Sequence, residues 1–284
     1  MPADTNTSPV WFITGCSSGL GRALAERVLE RGNRCVATAR DPARIADIAA
    51  KFPGTALVLA LDVRDGAQVE AVVARAEAAF GGIDVLVNNA GHGYSSAVEE
   101  GEDAAVRAMF ETNFFGLVAV TKRVLPRMRE RGRGHVINIS SVGGIVGNPA
   151  TGYYNATKFA VEGLTQALDK EVGPFGIHVT LIEPGPFRTD FQGRSMTVVR
   201  APNAAYAATA GARRAQLRAS SGKQPGDPVR AADAIILITQ SPAPPLHLVL
   251  GKNALERARA KVAELQRTMD EWEKVTLSAD FPES

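Results

Sequence analysis

The feature that most constrains this chain is a rhythm. From Val10 onwards, short apolar runs alternate with stretches of helical periodicity. "VWFIT" (10–14) is apolar throughout and stops at a glycine, as a strand buried on both faces does. The helical stretch after it carries Leu20, Leu24 and Val28 on one face and ends at Gly32. "RCVATAR", "TALVLALDV", "IDVLVNN", "GHVINIS", "IHVTLIEP" and "LHLVLG" repeat the strand pattern with helical stretches between them. Strands of this kind separated by helices pair in parallel, with helices on both faces. The expectation is an α/β, single-domain Rossmann fold built on a doubly wound, seven-stranded parallel sheet over residues 10–251. Residues 1–9 read as a flexible leader, and residues 252–284 as an amphipathic closing helix with a frayed tail.

Composition sets outer limits. Of 284 residues, 45% are hydrophobic and 22% charged, which suits a packed core and excludes a disordered chain. A formal charge of +2 gives no reason to expect nucleic acid or an acidic membrane as partner. No apolar run approaches the ~20 residues that a spanning helix needs. Cys16 and Cys35, the two cysteines, make no disulfide framework, so a reducing cytoplasm is the expected compartment.

The first strand runs into "GCSSGLG", with Gly15, Gly19 and Gly21 before the helix. A glycine-rich turn between strand and helix lets backbone N–H groups and the helix N-terminus receive a pyrophosphate. The same residues match the G-x-S-x-G elbow of serine hydrolases, but that fold needs a strand and an oxyanion loop before its elbow. Only fourteen residues precede Gly15. The second strand ends at Arg40, where an acid would suit NAD and an arginine suits the 2′-phosphate of NADP. NADP(H) is therefore the preferred cofactor, with NAD(H) allowed if Arg40 is only a solvated strand-end charge. Asp41, followed by Pro42, reads as a helix cap. Asp62 and Asn89, at later strand ends, are cofactor candidates by position, and Asp62 also reads as a helix cap.

The chemistry concentrates in "SSVGGIVGNPATGYYNATK" (140–158). On a helix, Tyr154 and Lys158 share a face, so an ammonium sits where it can favour phenolate. Ser141, delivered by the preceding strand, can hold a substrate oxygen while the phenol gives or takes its proton. These groups handle a carbonyl or alcohol oxygen, and a bound cofactor must supply the hydride. Residues 191–226 contain no acid and six cations: Arg194, Arg200, Arg213, Arg214, Arg218 and Lys223. That segment, about 190–226, reads as an irregular lid. Its charges are either a solvated face or a lure for an anionic substrate. The four histidines show no metal-ligand spacing, so no metal is expected.

In order along the chain, "TGCSSGLG", "LDV", "NNAG", "ETNFFG", "NISS", "YNATK" and "PGPFRT" resemble the motifs of the short-chain dehydrogenases/reductases, most closely the 17β-hydroxysteroid and retinol dehydrogenase-like branch. The resemblance covers nearly the whole chain. It implies Tyr154 as acid/base, Lys158 lowering its pKa and holding the nicotinamide ribose, Ser141 on the substrate oxygen, and Asn113 supporting a relay water. It further implies that the loop holding Gly15, Ser17, Ser18, Gly19, Leu20 and Gly21 cradles the pyrophosphate. Asp62 and Val63 would meet adenine, with Asn89, Ala90, Gly91, Pro184, Gly185 and Phe187 along the cofactor and Thr189 on its carboxamide. Tyr153 lacks a lysine four residues on, and Ser140 falls one short of the family spacing. His92, Tyr94, Ile145, Val146, Phe191 and Met196 would line a pocket for a hydrophobic carbonyl compound or alcohol. The implied assembly is a homodimer or homotetramer. The competing reading is a fold of this type that binds NADP(H) as a sensor or scaffold without turnover.

Overall fold

The computed structural model describes residues 8–281. Most of the expected leader (1–7) and the tail tip (282–284) lie outside the described residues. The chain begins with β1 (Val10–Ile13), α1 (Gly19–Glu30), β2 (Arg34–Ala39), α2 (Ala46–Lys51), β3 (Ala56–Ala60), α3 (Gly66–Phe80) and β4 (Val85–Asn88). It continues through β5 (Gly93–Ser95), α4 (Asp103–Phe110), α5 (Gly116–Arg131), β6 (Gly134–Ile139), α6 (Gly152–Val172) and β7 (Ile177–Pro184). It ends with β8 (Met196–Val198), α7 (Ala212–Ser220), α8 (Pro228–Ile238), β9 (His247–Leu250) and α9 (Lys252–Leu277).

Among the described residues, seven strands form one parallel sheet in the order β3-β2-β1-β4-β6-β7-β9. Phe12 stands opposite Val36 on one side and Leu86 on the other. The chain winds outwards from β1 through β2 to β3, then returns to place β4 on the opposite side. Loops leaving β1 and β4 therefore part, and the crevice between them is where such sheets bind ligands. Alternation along β1 serves both faces. Trp11 and Ile13 pack with Leu24, Val28, Ile235 and Ile236 on one side, whereas Phe12 packs with Val69, Val73, Val120, Val124 and Met128 on the other.

Four features depart from the sequence reading. The helical stretch that contains Asn113 is interrupted between α4 and α5 by one π-helical turn, Glu111–Phe115. That turn buries Asn113 to 1% exposure, so it is not a solvent-facing asparagine. A small parallel pair, β5 with β8, ties the loop after β4 to the segment expected to be an irregular lid. That segment is ordered: it holds β8, short helical turns and α7. Lastly, α9 packs on the body only through its first turns. Ala254 and Ala258 are buried, and every residue from Val262 to Phe281 is exposed.

Several caps do form where the residues predict them. The Asp41 carboxylate accepts from the Ala43 N–H, and Gly81 ends α3 in the left-handed region. The cap of α3 is Asp65, which accepts from Ala67 and Gln68. Asp62 pairs with Arg64 at 2.6 Å instead of capping. No helix of the described residues is long and apolar enough to cross a membrane.

Candidate active site

One cavity of about 610 Å³ opens at the carboxyl ends of the strands. At its β1 end, Gly15 and Gly19 take φ of 73° and 62°, which glycine adopts without a side-chain penalty. Ser18 begins α1 without a side-chain cap, so the first N–H groups of the helix keep their donors. Ser17, Ser18, Gly19 and Leu20 line the cavity. Gly21 instead faces the protein: a Cβ there would come within 2.2 Å of Asn89 Nδ2 and 2.7 Å of the Gly15 carbonyl. The Asn89 amide holds the turn by donating to the Thr14 and Gly15 carbonyls at 2.8 and 3.0 Å. Thr14 Oγ1 in turn accepts from the N–H groups of Asn89 and Ala90 at 2.9 Å. No strand precedes β1 among the described residues, which leaves Ser17 without the framework of a hydrolase elbow.

Arg40, at the end of β2, is exposed on the cavity wall, and Arg44 lines it one turn further on. Neither has an ion-pair partner among the described residues. Asp62 also lines the cavity, but its carboxylate is held by Arg64, which lowers its pKa. Val63, Asn89, Ala90, Gly91, Pro184, Gly185, Phe187 and Thr189 complete this side.

The chemical centre lies on α6 and the end of β6. Tyr154 and Lys158 share a face of α6, and the Lys158 Nζ is 5.8 Å from the centre of the Tyr154 ring. The nearby Ser141 side chain pulls the pKa of the phenol down, but burial outweighs it and pushes Tyr154 up to about 12. Burial likewise brings Lys158 down to about 8, against the opposing charge of Glu162. The predicted lowering of Tyr154 by Lys158 is therefore outweighed here. The lysine is itself desolvated and donates to the Ile139 carbonyl at 2.7 Å.

Asn113 stands behind this centre. Its amide donates to the His92 carbonyl at 2.8 Å and to Thr157 Oγ1 at 3.2 Å, and its Oδ1 accepts the His92 N–H at 2.9 Å. It thereby ties the loop after β4 to α6. His92 is half-buried on the cavity wall with its pKa lowered by burial. Tyr153 is spent elsewhere, donating to the Val98 carbonyl at 2.7 Å. Ser140 donates to Glu162, away from Tyr154. Cys16 is fully buried and pushed up to about 12 by that burial, so it is an inert filler of the turn.

Of the pocket residues expected from sequence, His92, Phe191 and Met196 line the cavity. The Phe191 ring lies 5.4 Å from that of Tyr154. Tyr94 does not reach the wall; it is buried in a small core, and its hydroxyl accepts from the Glu102 N–H. Ile145 and Val146 also lie off the wall, because the chain turns through a short 3₁₀ helix directly after Ser141. Sequence reasoning named Arg213 among the six cations of the acid-free segment, and it missed Asn148, Leu217, Asn253 and Arg257, which join Arg213 on the cavity wall from distant segments. It also missed a convergence of Glu162, Glu183 and His247, whose ligand-type atoms lie within 4.8 Å of one another. His247 Nδ1 is 2.7 Å from Glu183 Oε1 there.

Three of the six cations of the acid-free segment have a carboxylate, two of them from glutamates that follow β5. Arg214 forms a buried ion pair with Glu100 at 2.8 Å. Arg200 approaches Glu102 at 3.9 Å, and the Tyr206 hydroxyl donates to Glu99. Arg194 pairs with Asp190. The segment is therefore neither a solvated face nor a uniform lure.

A parallel sheet with an open helix N-terminus at its crevice, and Ser141, Tyr154 and a buried Lys158 on the same cavity, define an oxidoreductase of the nicotinamide-dinucleotide class. The short chain dehydrogenase family profile matches residues 9–198, and the chain belongs to that family, the short-chain dehydrogenases/reductases. It is 40% identical over 272 residues to oxidoreductase BOA17 of Botryotinia fuckeliana, covering 95% of this chain and 98% of the relative. It is 41% identical over 191 residues to human (Homo sapiens) 17-beta-hydroxysteroid dehydrogenase type 1, covering 64% of this chain and 58% of the relative. Among solved structures, a short-chain dehydrogenase from Streptomyces avermitilis superposes with a TM-score of 0.90 at 41% identity, covering 96% of this chain and all of that one.

Proposed function

We propose that the protein is an NADP(H)-preferring oxidoreductase that interconverts a hydrophobic carbonyl compound and its alcohol, with Tyr154 as acid/base. The observation that carries this reading is the half-buried Tyr154 phenol, with Ser141 and Lys158 beside it, on the cavity that also holds the open start of α1. The residues suit a dinucleotide. Unpaired N–H donors at Ser18 to Leu20 meet a pyrophosphate, and Arg40, with no acid of its own, suits a 2′-phosphate. The nicotinamide, once bound, supplies or accepts the hydride.

In reduction, Ser141 holds the carbonyl oxygen and Tyr154 protonates it. A phenol held protonated up to about pH 12 is a standing donor at neutral pH. Lys158, still largely cationic at pH 7, offsets the phenolate left behind. Phe187, Phe191, Met196 and Leu217 give the substrate an apolar surface. A cytoplasmic homo-oligomer is the setting proposed with this activity.

The test is a nicotinamide-fluorescence titration with NADPH and NADH, followed by a panel of apolar ketones and aldehydes. Tyr154→Phe should bind NADPH as wild type does and lose turnover by ~100-fold to 10,000-fold, the usual worth of a positioned acid. Retained turnover in that variant overturns the assignment. Tight NADPH binding by wild type with no turnover of any substrate favours the sensor reading.

A further inference from the structure

Arg213 and Arg257 line the cavity wall away from Arg40 and Arg44. Arg194 on that wall pairs with Asp190, whereas Arg213 and Arg257 have no carboxylate among the described residues. Arg213, on α7, donates from Nη1 to Gln216 at 2.6 Å, and its Nε is buried without a partner. Arg257 reaches in from α9 and donates to Asn148 Oδ1. The two are close enough that the charge of Arg213, after burial, lowers the pKa of Arg257. Two arginines on one cavity wall without an acid make an anion a favourable occupant beside them.

Their position shows which anion. Asn148 lies on the segment between Ser141 and Tyr154, and its N–H donates to Asn155, the neighbour of Tyr154, at 3.0 Å. The cofactor-phosphate features, the start of α1 and Arg40, belong to the β1 and β2 end of the sheet. Phe191, Met196 and Leu217 share the wall with the arginine pair. We propose that Arg213 and Arg257 form a subsite for an anionic group, carboxylate or phosphate, on an otherwise apolar substrate whose carbonyl meets Ser141 and Tyr154. This deepens the proposed oxidoreductase reading and rests on it. Arg214, by contrast, is held by Glu100 and takes no part.

The binding arm needs no turnover. Decanoate, decyl phosphate and decanol are titrated calorimetrically into the protein saturated with NADPH. Either anion should bind at least tenfold more tightly than decanol, and the tighter of the two identifies the headgroup. Arg213→Met and Arg257→Met, which keep the hydrocarbon stem, should each abolish that preference. Equal binding of all three probes, or a preference that survives both variants, overturns the subsite. The kinetic arm compares a medium-chain keto acid with its methyl ester. The acid-to-ester ratio of kcat/KM should fall tenfold or more in either variant, and an equal effect on both overturns the proposal. If no ketone turns over but the anion preference appears and is lost in the variants, the oxidoreductase reading fails and the anion site stands.

A separate observation concerns α9. Val262, Leu265, Met269 and Trp272 are 64%, 49%, 58% and 55% exposed, and their spacing of three, four and three is that of a coiled-coil seam. Lys252–Leu277 carries six basic and five acidic residues, so it lacks the cationic face that an acidic membrane would attract. We infer that a second copy of this chain covers the seam, with the two α9 helices antiparallel. Pairing Leu265 with Met269 of the second copy also sets Val262 against Trp272, and it brings Arg259 opposite Glu273. Neither of these charges has an ion-pair partner among the described residues. A parallel pairing would face Lys261 with Gln266 and Thr268 with Glu273, opposing no charges.

Light scattering after size exclusion should show an assembly whose mass halves in Leu265→Lys. Arg259→Glu should weaken it, and Arg259→Glu with Glu273→Arg should restore it. A monomeric wild type, an assembly indifferent to Leu265→Lys, or charge reversals without mutual rescue each overturn the pairing. So does co-sedimentation of the wild type, and not of Leu265→Lys, with phosphatidylcholine–phosphatidylserine vesicles.

Discussion

At the scale of single residues, the site is governed by burial. Tyr154 and Lys158 are both displaced against their charged forms, the phenol up to about 12 and the ammonium down to about 8. On the proposed mechanism the lysine sets a pH limit on reduction. There it is protonated to offset the phenolate, so kcat should be level below pH 8 and fall about tenfold per unit above it. A level profile to pH 10 would remove its charge from the mechanism. Gly21 makes a second prediction. An added methyl would strike both Asn89 Nδ2 and a backbone carbonyl, and neither can yield without opening the turn. Gly21→Ala should therefore weaken NADPH binding by tenfold or more while far-ultraviolet circular dichroism stays native. The Tyr154–Lys158 pair was legible because helical spacing alone puts i and i+4 on one face. The burial that dominates both pKa values was not, because it comes from packing by distant segments.

At the scale of elements, a buried amide ladder binds strands to helices beneath the site. Asn88 on β4 donates to Thr121 on α5 and to Asn138 on β6, each at 2.9 Å. Asn138 then donates to Thr165 on α6 at 2.9 Å. All four side chains are buried, so a broken link leaves a desolvated group unpaired. Asn138→Leu should cost about 2–3 kcal/mol, and the double variant with Asn88→Leu should cost less than the sum of the singles. Strict additivity in a denaturation cycle would show that the ladder does not act as a unit. The strands themselves were legible as apolar runs because a parallel sheet is covered on both faces. The ladder was not, since an asparagine inside an apolar run does not reveal which strand will lie beside it. Nor were β5 and β8, at three residues each, too short for periodicity to register. The π turn at Asn113 was hidden for a different reason: a one-residue insertion leaves the apolar pattern of the flanking helices intact.

At the scale of the whole molecule, the cavity is assembled from both ends of the chain. Its walls run from Gly15 in the first turn to Arg257 in the last helix. Local pattern showed the β1 end, where turn and helix are contiguous. It could not show the α9 end, which joins the cavity of Tyr154 only after the sheet has been wound. A ligand spanning such a cavity binds the native state and has no counterpart in the unfolded one, so it must stabilise the entire fold. At a hundredfold excess over its Kd, NADPH should add about 2.7 kcal/mol. For a chain of this size that is a rise in Tm of about 4–5 °C. The reading of Arg40 makes the shift specific. NADH at the same concentration should raise Tm by less, and Arg40→Ala should cut the NADPH shift to the NADH level while leaving the NADH shift unchanged. Because the readout is unfolding, it separates cofactor recognition from turnover. Equal shifts for the two nucleotides in wild type would show that the arginine at the end of β2 is a solvated charge and that the 2′-phosphate is not read there.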